Sequence, residues 1–393
     1  MSTRQEKIDR VIKALNHEEP DRVPVGEFFW TNFIRRCKAE LDVGDDFDPY
    51  RYWDLDMVVL TVNMDPKITG IEVLEDTPER KVVKTGFGAT IERVSTLPMP
   101  HFADFDYASF EAVEALEFDD PYDPRRFFEP IDDQLNSVGD ELNLNLRPWI
   151  ERVNDYARDL CVFGATCEPH ELVWRIMGSE NVMIKMAEDP DRFARIIDRL
   201  GDFAAAIADA QIKAADGKLS GLYIWGDIAY VNGMMFSPRY WREVYQPQLK
   251  KITDVIHGHG LKAIYHSDGD LHLILDDLIE GGIDGLNPLE AKARMDVLEF
   301  KRTHGDRLCF DGNLNVQVLE TNDRDQVREL VLTRLNAAKG GGYILQSDHS
   351  VPDNVAPATY DYVIQLAREY GRYPLNLGEY DRDVSPLPAA KTT

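Results

Sequence analysis

The chain has 393 residues and a formal net charge of −26, from 44 lysines and arginines and 70 aspartates and glutamates. This acidity argues against a general binder of nucleic acid or of anionic membranes, because both select basic patches. No apolar run is long enough to span a membrane, the four cysteines are too few for a disulfide framework, and the charged start lacks the apolar core of a signal peptide. We therefore expect a soluble, cytoplasmic enzyme.

Eight short apolar segments are predicted strands, because each is rich in β-branched or aromatic residues and is bounded by Gly, Pro, Asp or Asn. Amphipathic helical stretches separate most of them, which indicates a parallel sheet. Eight such units favour a closed (β/α)8 TIM barrel over an open sheet, and no GxGxxG motif follows the first strand. The predicted strands are 22–29, 56–62, 160–167, 221–228, 261–268, 283–289, 307–314 and 342–348.

One long excursion follows the second predicted strand. Residues 64–100 predict a β-hairpin, and residues 101–155 are acidic and helical, so that an insertion at about 64–155 covers one mouth of the barrel. No Ser/Gly-rich linker separates these parts, which indicates a single domain over 1–375. Residues 376–393 are predicted to be a C-terminal tail that frays or packs on a neighbour.

Chemistry in such barrels lies where the strands end at their carboxyl side. His266 and Asp268 are two residues apart in an extended segment, so that their side chains point to the same side. Asp348 and His349 end the last predicted strand and are candidates for a further ligand. Three protein ligands and an open position are the pattern of a catalytic zinc site. The alternative without a metal is a hydrogen-bonded His266–Asp268 pair that fixes a loop.

The remaining strand ends supply candidate acids, bases and substrate contacts. Asp227, Glu290 and Asp311 are candidate catalytic groups, or else helix caps and loop anchors, which are common uses of such residues after a strand. The candidate substrate-binding residues are Trp225, Tyr230, Asn287 and Asn313.

Several stretches of the chain resemble the uroporphyrinogen decarboxylase superfamily. They are KIDRVIKALNHEEPDRVPV, the segment from GDIAYVNGMMF to YHSDGD, GIDGLNPLE, and GGGYILQSDHSVPDNVAPATYDYVIQLAREYG. The resemblance extends to about residue 374. It implies a (β/α)8 barrel enzyme that is either a decarboxylase of the tetrapyrrole pathway or a zinc-dependent methyltransferase that works with a corrinoid. It also implies a homodimer.

The stretch after the first predicted strand differs from that of the decarboxylases, and this difference bears on which of the two branches the chain resembles. The decarboxylases carry an Arg-Gln-Ala-Gly-Arg-Tyr stretch after strand one, whose arginines bind the acidic arms of the substrate. The corresponding stretch here is FFWTNFIRRCKAEL, in which Arg35 and Arg36 are adjacent and the Gln-Ala-Gly element is missing. A porphyrinogen with eight carboxylates requires several arginines in one cleft. Genuine uroporphyrinogen decarboxylation is therefore disfavoured.

The zinc ligands of the methyltransferase branch are also changed. The resemblance places a His-x-Cys at the end of strand five and a Cys at the end of strand eight, and these positions are His266, Asp268 and Asp348 here, with His349 beside them. A His/Asp/Asp set is harder than a thiolate set, so it suits Zn²⁺ and also admits Fe²⁺ or Mn²⁺. Its greater Lewis acidity favours polarising an ether, alcohol or carboxylate oxygen.

We therefore predict a metal-dependent, methyltransferase-like enzyme that moves a methyl group between a small substrate, such as a methoxylated compound, and a corrinoid on a separate carrier protein. The first alternative is a decarboxylase or lyase of a small organic acid or tetrapyrrole. This alternative predicts an arginine at the same mouth and turnover without corrinoid. The second alternative is a non-catalytic, ligand-binding barrel, which the loss of both cysteines favours.

Overall fold

The computed structural model describes residues 2–94, 100–137 and 145–387. Strands in this part of the chain fall into a central sheet and two smaller ones. In chain order they are β1 (Met57–Thr61), β2 (Glu72–Asp76), β3 (Arg80–Lys84), β4 (Ala89–Val94), β5 (His101–Phe105), β6 (Cys161–Cys167), β7 (Leu219–Trp225), β8 (Ala229–Tyr230), β9 (Gly233–Met234), β10 (Lys262–His266), β11 (Gly285–Asn287), β12 (Cys309–Asp311) and β13 (Tyr343–Ile344).

The central sheet is parallel and follows the order β1-β6-β7-β10-β11-β12-β13. Its strands coincide with the second to eighth predicted strands, which confirms the α/β class with a parallel sheet. Several are shorter than predicted. β11, for example, ends at Asn287 because the next residue, Pro288, has no backbone N–H to donate to a neighbouring strand.

The first predicted strand, 22–29, connects the two ends of this sheet by isolated backbone contacts. Val25 forms a parallel bridge with Leu345 beyond β13, and its carbonyl oxygen accepts a hydrogen bond from the Asp56 amide before β1 at 2.9 Å. The sheet is therefore curled, with its edge strands brought to one segment. This segment is not a regular strand in part because Pro24 lacks the N–H that continuous pairing requires.

The insertion between β1 and β6 contains more strand than its sequence pattern predicts. Where the sequence predicts a single hairpin at 64–100, the structure has an antiparallel sheet in the order β2-β3-β4-β5. Its last strand lies within the region predicted to be helical. Phe102 of this strand packs edge-on against Trp174, at 5.1 Å between ring centroids, so contact with the main body stabilises it. Residues 95–99 and 138–144 of the predicted insertion lie outside the described residues.

Most helices connect consecutive strands of the central sheet, and their starts follow the sequence. The first has a capping box between Thr3 and Glu6, and the longest begins at Pro190 after the Asp189 cap. They are α1 (Arg4–Leu15), α2 (Thr31–Glu40), α3 (Pro49–Tyr52), α4 (Phe110–Ala115), α5 (Arg125–Phe128), α6 (Gln134–Ser137), α7 (Trp149–Tyr156), α8 (Pro169–Met177), α9 (Ser179–Glu188), α10 (Pro190–Ala215), α11 (Pro238–Tyr240), α12 (Gln246–Gly258), α13 (Leu275–Glu280), α14 (Val297–His304), α15 (Val316–Glu320), α16 (Arg324–Arg334) and α17 (Pro357–Tyr370).

Helix α1 covers the amino-terminal end of the curled sheet. Its buried residues Val11 and Leu15 join one apolar cluster with Met57, Cys161 and Cys309, which are the first residues of β1, β6 and β12. At the amino-terminal end, helix α1 and the inward-facing side chains of the strands thus fill the interior of the curled sheet. The polar side chains of the candidate site lie at the opposite end, where the strands finish. We call this end the mouth.

The C-terminal segment packs on the body of the protein as far as it is described. The Asn336 side chain donates a hydrogen bond to the Tyr380 carbonyl oxygen at 2.8 Å, and the Leu387 amide donates one to the Arg302 carbonyl at 2.8 Å. Residues 388–393 of the predicted tail lie outside the described residues. Within the described part of the chain, no helix combines the length and apolar character that crossing a membrane requires.

Candidate metal centre at the mouth

A row of side chains lines the carboxyl ends of the central strands. Parallel pairing places Trp225 of β7 in register with His266 of β10, and His266 in register with Asn287 of β11. Residues in register on neighbouring strands point to the same face of a sheet. That face is the interior, because Tyr223 and Ile264, two residues earlier on their strands, belong to the interior cluster.

Three groups able to bind a cation meet just above this row. Ligand atoms of Asp227, His266 and Asp268 all lie within 4.8 Å of one another. The Nε2 atom of His266 is 3.8 Å from Oδ1 of Asp227, and the Asp268 amide donates a hydrogen bond to the same oxygen at 3.1 Å. Oδ1 of Asp268 is buried and has no hydrogen-bond partner among the described residues. One imidazole and two carboxylates form a ligand set for Zn²⁺, Fe²⁺ or Mn²⁺.

The charges of these groups act on one another. Withdrawal from water raises the pKa of Asp227 more than the neighbouring His266 lowers it, and the charges of Glu171 and Asp268 raise it further. Burial opposes protonation of His266, but the charges of Asp227 and Asp268 raise its pKa above the ordinary value. The side chain of Asp227 is still 45% exposed. A cation can therefore reach the site and relieve the repulsion between the carboxylates.

The ring of His266 is held in a fixed orientation. Its Nδ1 atom lies 2.6 Å from Oδ1 of Asn287. The Trp225 ring packs edge-to-face on the imidazole at 4.9 Å between centroids, and the Phe28 ring does so at 6.5 Å. These contacts leave Nε2 facing the carboxylates. Phe28 is not among the predicted site residues, although its position in a predicted strand at the mouth was a usable signal.

Asp348 and His349, the other two predicted metal ligands, are not part of this group. Oδ2 of Asp348 accepts a hydrogen bond from the Ala291 amide at 2.9 Å, and Oδ1 accepts one from the Val316 amide at 2.8 Å. Asp348 thus anchors two loops. His349 stacks on Trp30 at 5.9 Å between ring centroids. The third group near His266 is instead Asp227, which follows the neighbouring strand β7.

The predicted catalytic acids Glu290 and Asp311 have different surroundings. Oε2 of Glu290 accepts a hydrogen bond from the Gly269 amide at 3.1 Å, and Oε1 pairs with Lys292 at 2.6 Å. Glu290 therefore holds the loop that carries Asp268. Asp311 is fully buried, and its Oδ2 accepts a hydrogen bond from the Tyr223 hydroxyl. Burial raises the pKa of Asp311 to about 7.

The predicted substrate-binding residues divide into exposed and enclosed groups. Trp225 lines the mouth and donates to the Thr61 hydroxyl at 3.4 Å. Tyr230 is 62% exposed on the β8–β9 hairpin. Asn313 is enclosed, because its side chain donates to the Leu289 and Met295 carbonyl oxygens and accepts from the Val297 amide. Asn287 is also fully buried.

A cavity of about 250 Å³ lies between Trp30 and Glu290. Glu290 lines this cavity and also accepts a hydrogen bond from the Gly269 amide, next to Asp268. The cavity and the three-residue group are therefore connected through the Glu290 side chain. Trp30 and His349 form the aromatic wall of the cavity, and Lys292 and Asp348 also line it. This volume is below the roughly 300–1,000 Å³ of typical ligand pockets, so any occupant would be a small molecule.

Arginines near the mouth bear on the decarboxylase alternative. Arg36 is engaged on the surface, where it pairs with Glu40 at 2.6 Å and donates to the Asp353 carbonyl at 2.6 Å. Arg152 of α7 instead reaches the end of β1, where it donates to the Thr61 carbonyl at 3.3 Å and to the Asn136 side chain at 3.4 Å. An arginine therefore lies next to Thr61, whose hydroxyl contacts Trp225.

Comparisons with known proteins agree with this architecture. A family model described as uroporphyrinogen decarboxylase (URO-D) matches residues 82–370. The uroporphyrinogen decarboxylase of Aeromonas salmonicida is 23% identical over 381 residues, which cover 89% of this chain and 93% of that protein. The enzyme of the same name from Proteus mirabilis is 21% identical over 387 residues, 93% of this chain and 98% of that one. A methyltransferase structure from Methanosarcina mazei aligns with a TM-score of 0.64 at 17% identity, over 92% of this chain and 98% of that one, which shows a shared fold.

Proposed function

Because this chain belongs to the uroporphyrinogen decarboxylase (URO-D) family, we propose that it is a metal-dependent methyltransferase that moves a methyl group between a small substrate and a corrinoid. The superfamily includes both decarboxylases and corrinoid methyltransferases. We infer the (β/α)8 barrel of that superfamily, with 22–29 in the place of the remaining strand. The observation that carries the proposal is the meeting of Asp227, His266 and Asp268 at the mouth.

The residues present fit a divalent cation. Nε2 of His266 and one oxygen from each of Asp227 and Asp268 would hold it, and the buried Asp268 Oδ1 has no other partner among the described residues. When bound, the cation would supply a Lewis acid for the substrate heteroatom that carries the methyl group. The oxygen-rich ligand set favours an oxygen atom, as in a methoxylated compound, and Zn²⁺, Fe²⁺ or Mn²⁺ as the metal.

The other residues of the mouth would bind and orient the substrate. The cavity between Trp30 and Glu290 would receive its body. Phe28 and Trp225, which pack on the His266 ring, would exclude water from the side of the site opposite the carboxylates. The corrinoid would arrive on a separate carrier protein at the open mouth, and the chain would form a homodimer.

Metal analysis tests this proposal directly. Each chain should bind about one equivalent of Zn²⁺, Fe²⁺ or Mn²⁺, and His266→Ala, Asp227→Asn and Asp268→Asn should each lose most of it. His272→Ala is the matched control, because His272 pairs with Asp270 at 2.7 Å but is not part of the three-residue group. Equal metal content in the wild type and in His266→Ala would remove the site.

Decarboxylation of a small acid is the second candidate, and the position of Arg152 favours it. The two reactions separate in an assay with free cob(I)alamin and methoxylated acids. Methyl transfer should give the absorption spectrum of methylcobalamin with the wild type and not with His266→Ala. Release of CO2 without cobalamin, lost on Arg152→Gln, would instead establish the decarboxylase.

A further inference from the structure

Asn287 uses both ends of its side-chain amide inside the protein. It is the last residue of β11 and is fully buried. Its Nδ2 atom donates a hydrogen bond to the Asp311 carbonyl oxygen at 3.0 Å. Because a carbonyl oxygen can only accept, the NH2 end of the amide must face Asp311. The oxygen end therefore faces Nδ1 of His266, at 2.6 Å.

This orientation determines where the imidazole carries its proton. The amide oxygen of Asn287 can only accept, so Nδ1 of His266 must be the donor. In the neutral ring the lone pair is then on Nε2, the atom that lies 3.8 Å from Asp227. We propose that Asn287 is a positioning residue that keeps His266 in the Nδ1–H tautomer and so presents Nε2 to a cation.

The packing around the ring supports the same role. His266 is a neighbour of Asn287 in the strand register, so the bond connects two adjacent strands rather than a mobile loop. Trp225 and Phe28 contact the ring from other directions. Rotation of the imidazole would break the Asn287 bond and move the ring against these side chains. Hydrogen bonds of this kind to metal-binding histidines typically change metal affinity by roughly 10–100-fold.

Two substitutions of Asn287 distinguish a role in positioning the His266 ring from a role in packing alone. Asn287→Leu keeps the branched shape but removes the acceptor, whereas Asn287→Asp keeps an acceptor for Nδ1. We expect ¹H–¹⁵N spectra of the metal-free protein, recorded at an alkaline pH at which the spectra themselves show a neutral ring, to contain the Nδ1–H tautomer in the wild type and in Asn287→Asp. Asn287→Leu should show a substantial Nε2–H population. An unchanged tautomer in a folded Asn287→Leu protein would overturn the inference.

Zinc affinity provides the second measurement, since the role of Nε2 as a ligand rests on the proposed function. Competition with a chromogenic chelator should show binding weakened by roughly 10–100-fold in Asn287→Leu and by less than about threefold in Asn287→Asp. Asn336→Leu is the matched control. Asn336 is also fully buried, and its amide donates to the Leu332, Thr333 and Tyr380 carbonyls, away from the mouth. This control should keep wild-type zinc affinity even if it unfolds at a lower temperature.

The two proposals fail in different ways. If no form of the protein binds zinc but the tautomer changes as expected, the metal-dependent function falls and the positioning role of Asn287 stands. If the wild type binds zinc and Asn287→Leu binds it equally well with the same ring tautomer, the positioning role falls and the metal site stands.

Discussion

Glu27 is a buried acid whose hydrogen bonds indicate a neutral carboxyl group. Burial raises its pKa to about 8, although several donors around it act in the opposite direction. The Ser347 hydroxyl oxygen lies 2.5 Å from Oε1 of Glu27 and 2.5 Å from the His349 carbonyl oxygen. A hydroxyl has one proton, and the carbonyl can only accept. The contact between Ser347 and Glu27 is therefore best satisfied when Glu27 carries the second proton.

This acid should make stability fall as pH rises. The folded state holds the proton up to about pH 8, whereas the unfolded chain releases it near the ordinary value of 4.5. Between these values the folded state binds more protons, so its free energy of unfolding decreases with pH, by at most about 1.4 kcal/mol per pH unit from this group. Glu27→Gln removes that contribution. Its unfolding temperature should decline less between pH 5 and 8 than that of the wild type.

The comparison of slopes isolates Glu27 from other titrating groups, such as Glu168, whose pKa burial also raises to about 8. Glu329→Gln, an exposed position on α16, serves as the control and should keep the wild-type slope. Parallel curves for the wild type and Glu27→Gln would show that Glu27 is already ionised in the folded protein.

Individual site residues were predictable only where backbone geometry decided their direction. The alternation of an extended segment was enough to predict that His266 and Asp268 face the same side. The surroundings of Asp348 were not predictable, because the amides of Ala291 and Val316 that it binds come from two other loops. The role of Asp227 was also not predictable from its own segment. Its own segment gives only an acid after a strand, and its proximity to His266 follows from the pairing of β7 with β10.

At the scale of elements, hydrophobic runs located the strands of the central sheet, since each buried strand is a short apolar segment between turn residues. The antiparallel sheet of the insertion was less visible. Its strand β2 is largely exposed and carries acidic residues in place of a clear alternation, so pairing with β3, rather than its own pattern, defines it. The segment 22–29 reads as a strand from composition, but Pro24 interrupts its pairing.

Asp56 connects three elements near the amino-terminal end of the sheet. Its fully buried carboxylate accepts hydrogen bonds from Arg10 of α1, from Arg22, and from the Val25 amide. Asp56→Ala would leave two buried guanidinium groups without this partner, which typically costs about 3–5 kcal/mol. We expect a free energy of unfolding in urea that is lower by about that amount, with release of α1 from the sheet.

Asp21→Asn is the control for this element. Asp21 also pairs with Arg10, at 2.6 Å, but its side chain is 59% exposed. Because water already solvates the Asp21 carboxylate, we expect this pair to contribute less than the Asp56 contacts, about 1 kcal/mol or less. If the two variants lost the same stability, burial of the Asp56 carboxylate would not be what makes this contact strong.

Across the whole molecule, charge affects stability in two opposite ways, through general repulsion and through local ion pairs. The net charge of −26 makes the folded chain repel itself. Attractive pairs fix the insertion to the body, as where Arg192 of α10 contacts Glu111 and Glu114 of α4 at 2.9 and 2.7 Å. These glutamates are 75% and 42% exposed, so water screens both pairs and each contributes little to stability. We expect the general repulsion of the acidic chain to be the larger effect.

Added salt should therefore stabilise the protein. Raising NaCl from about 10 to about 300 mM shortens the screening length from about 30 Å to about 6 Å, which weakens long-range repulsion more than contacts between touching groups. We expect the unfolding temperature to rise by about 2–5 °C. Choline chloride should give the same rise, because screening does not depend on which cation is present. A lower unfolding temperature in both salts would mean that the surface pairs, including those that hold the insertion, outweigh the repulsion of the acidic chain.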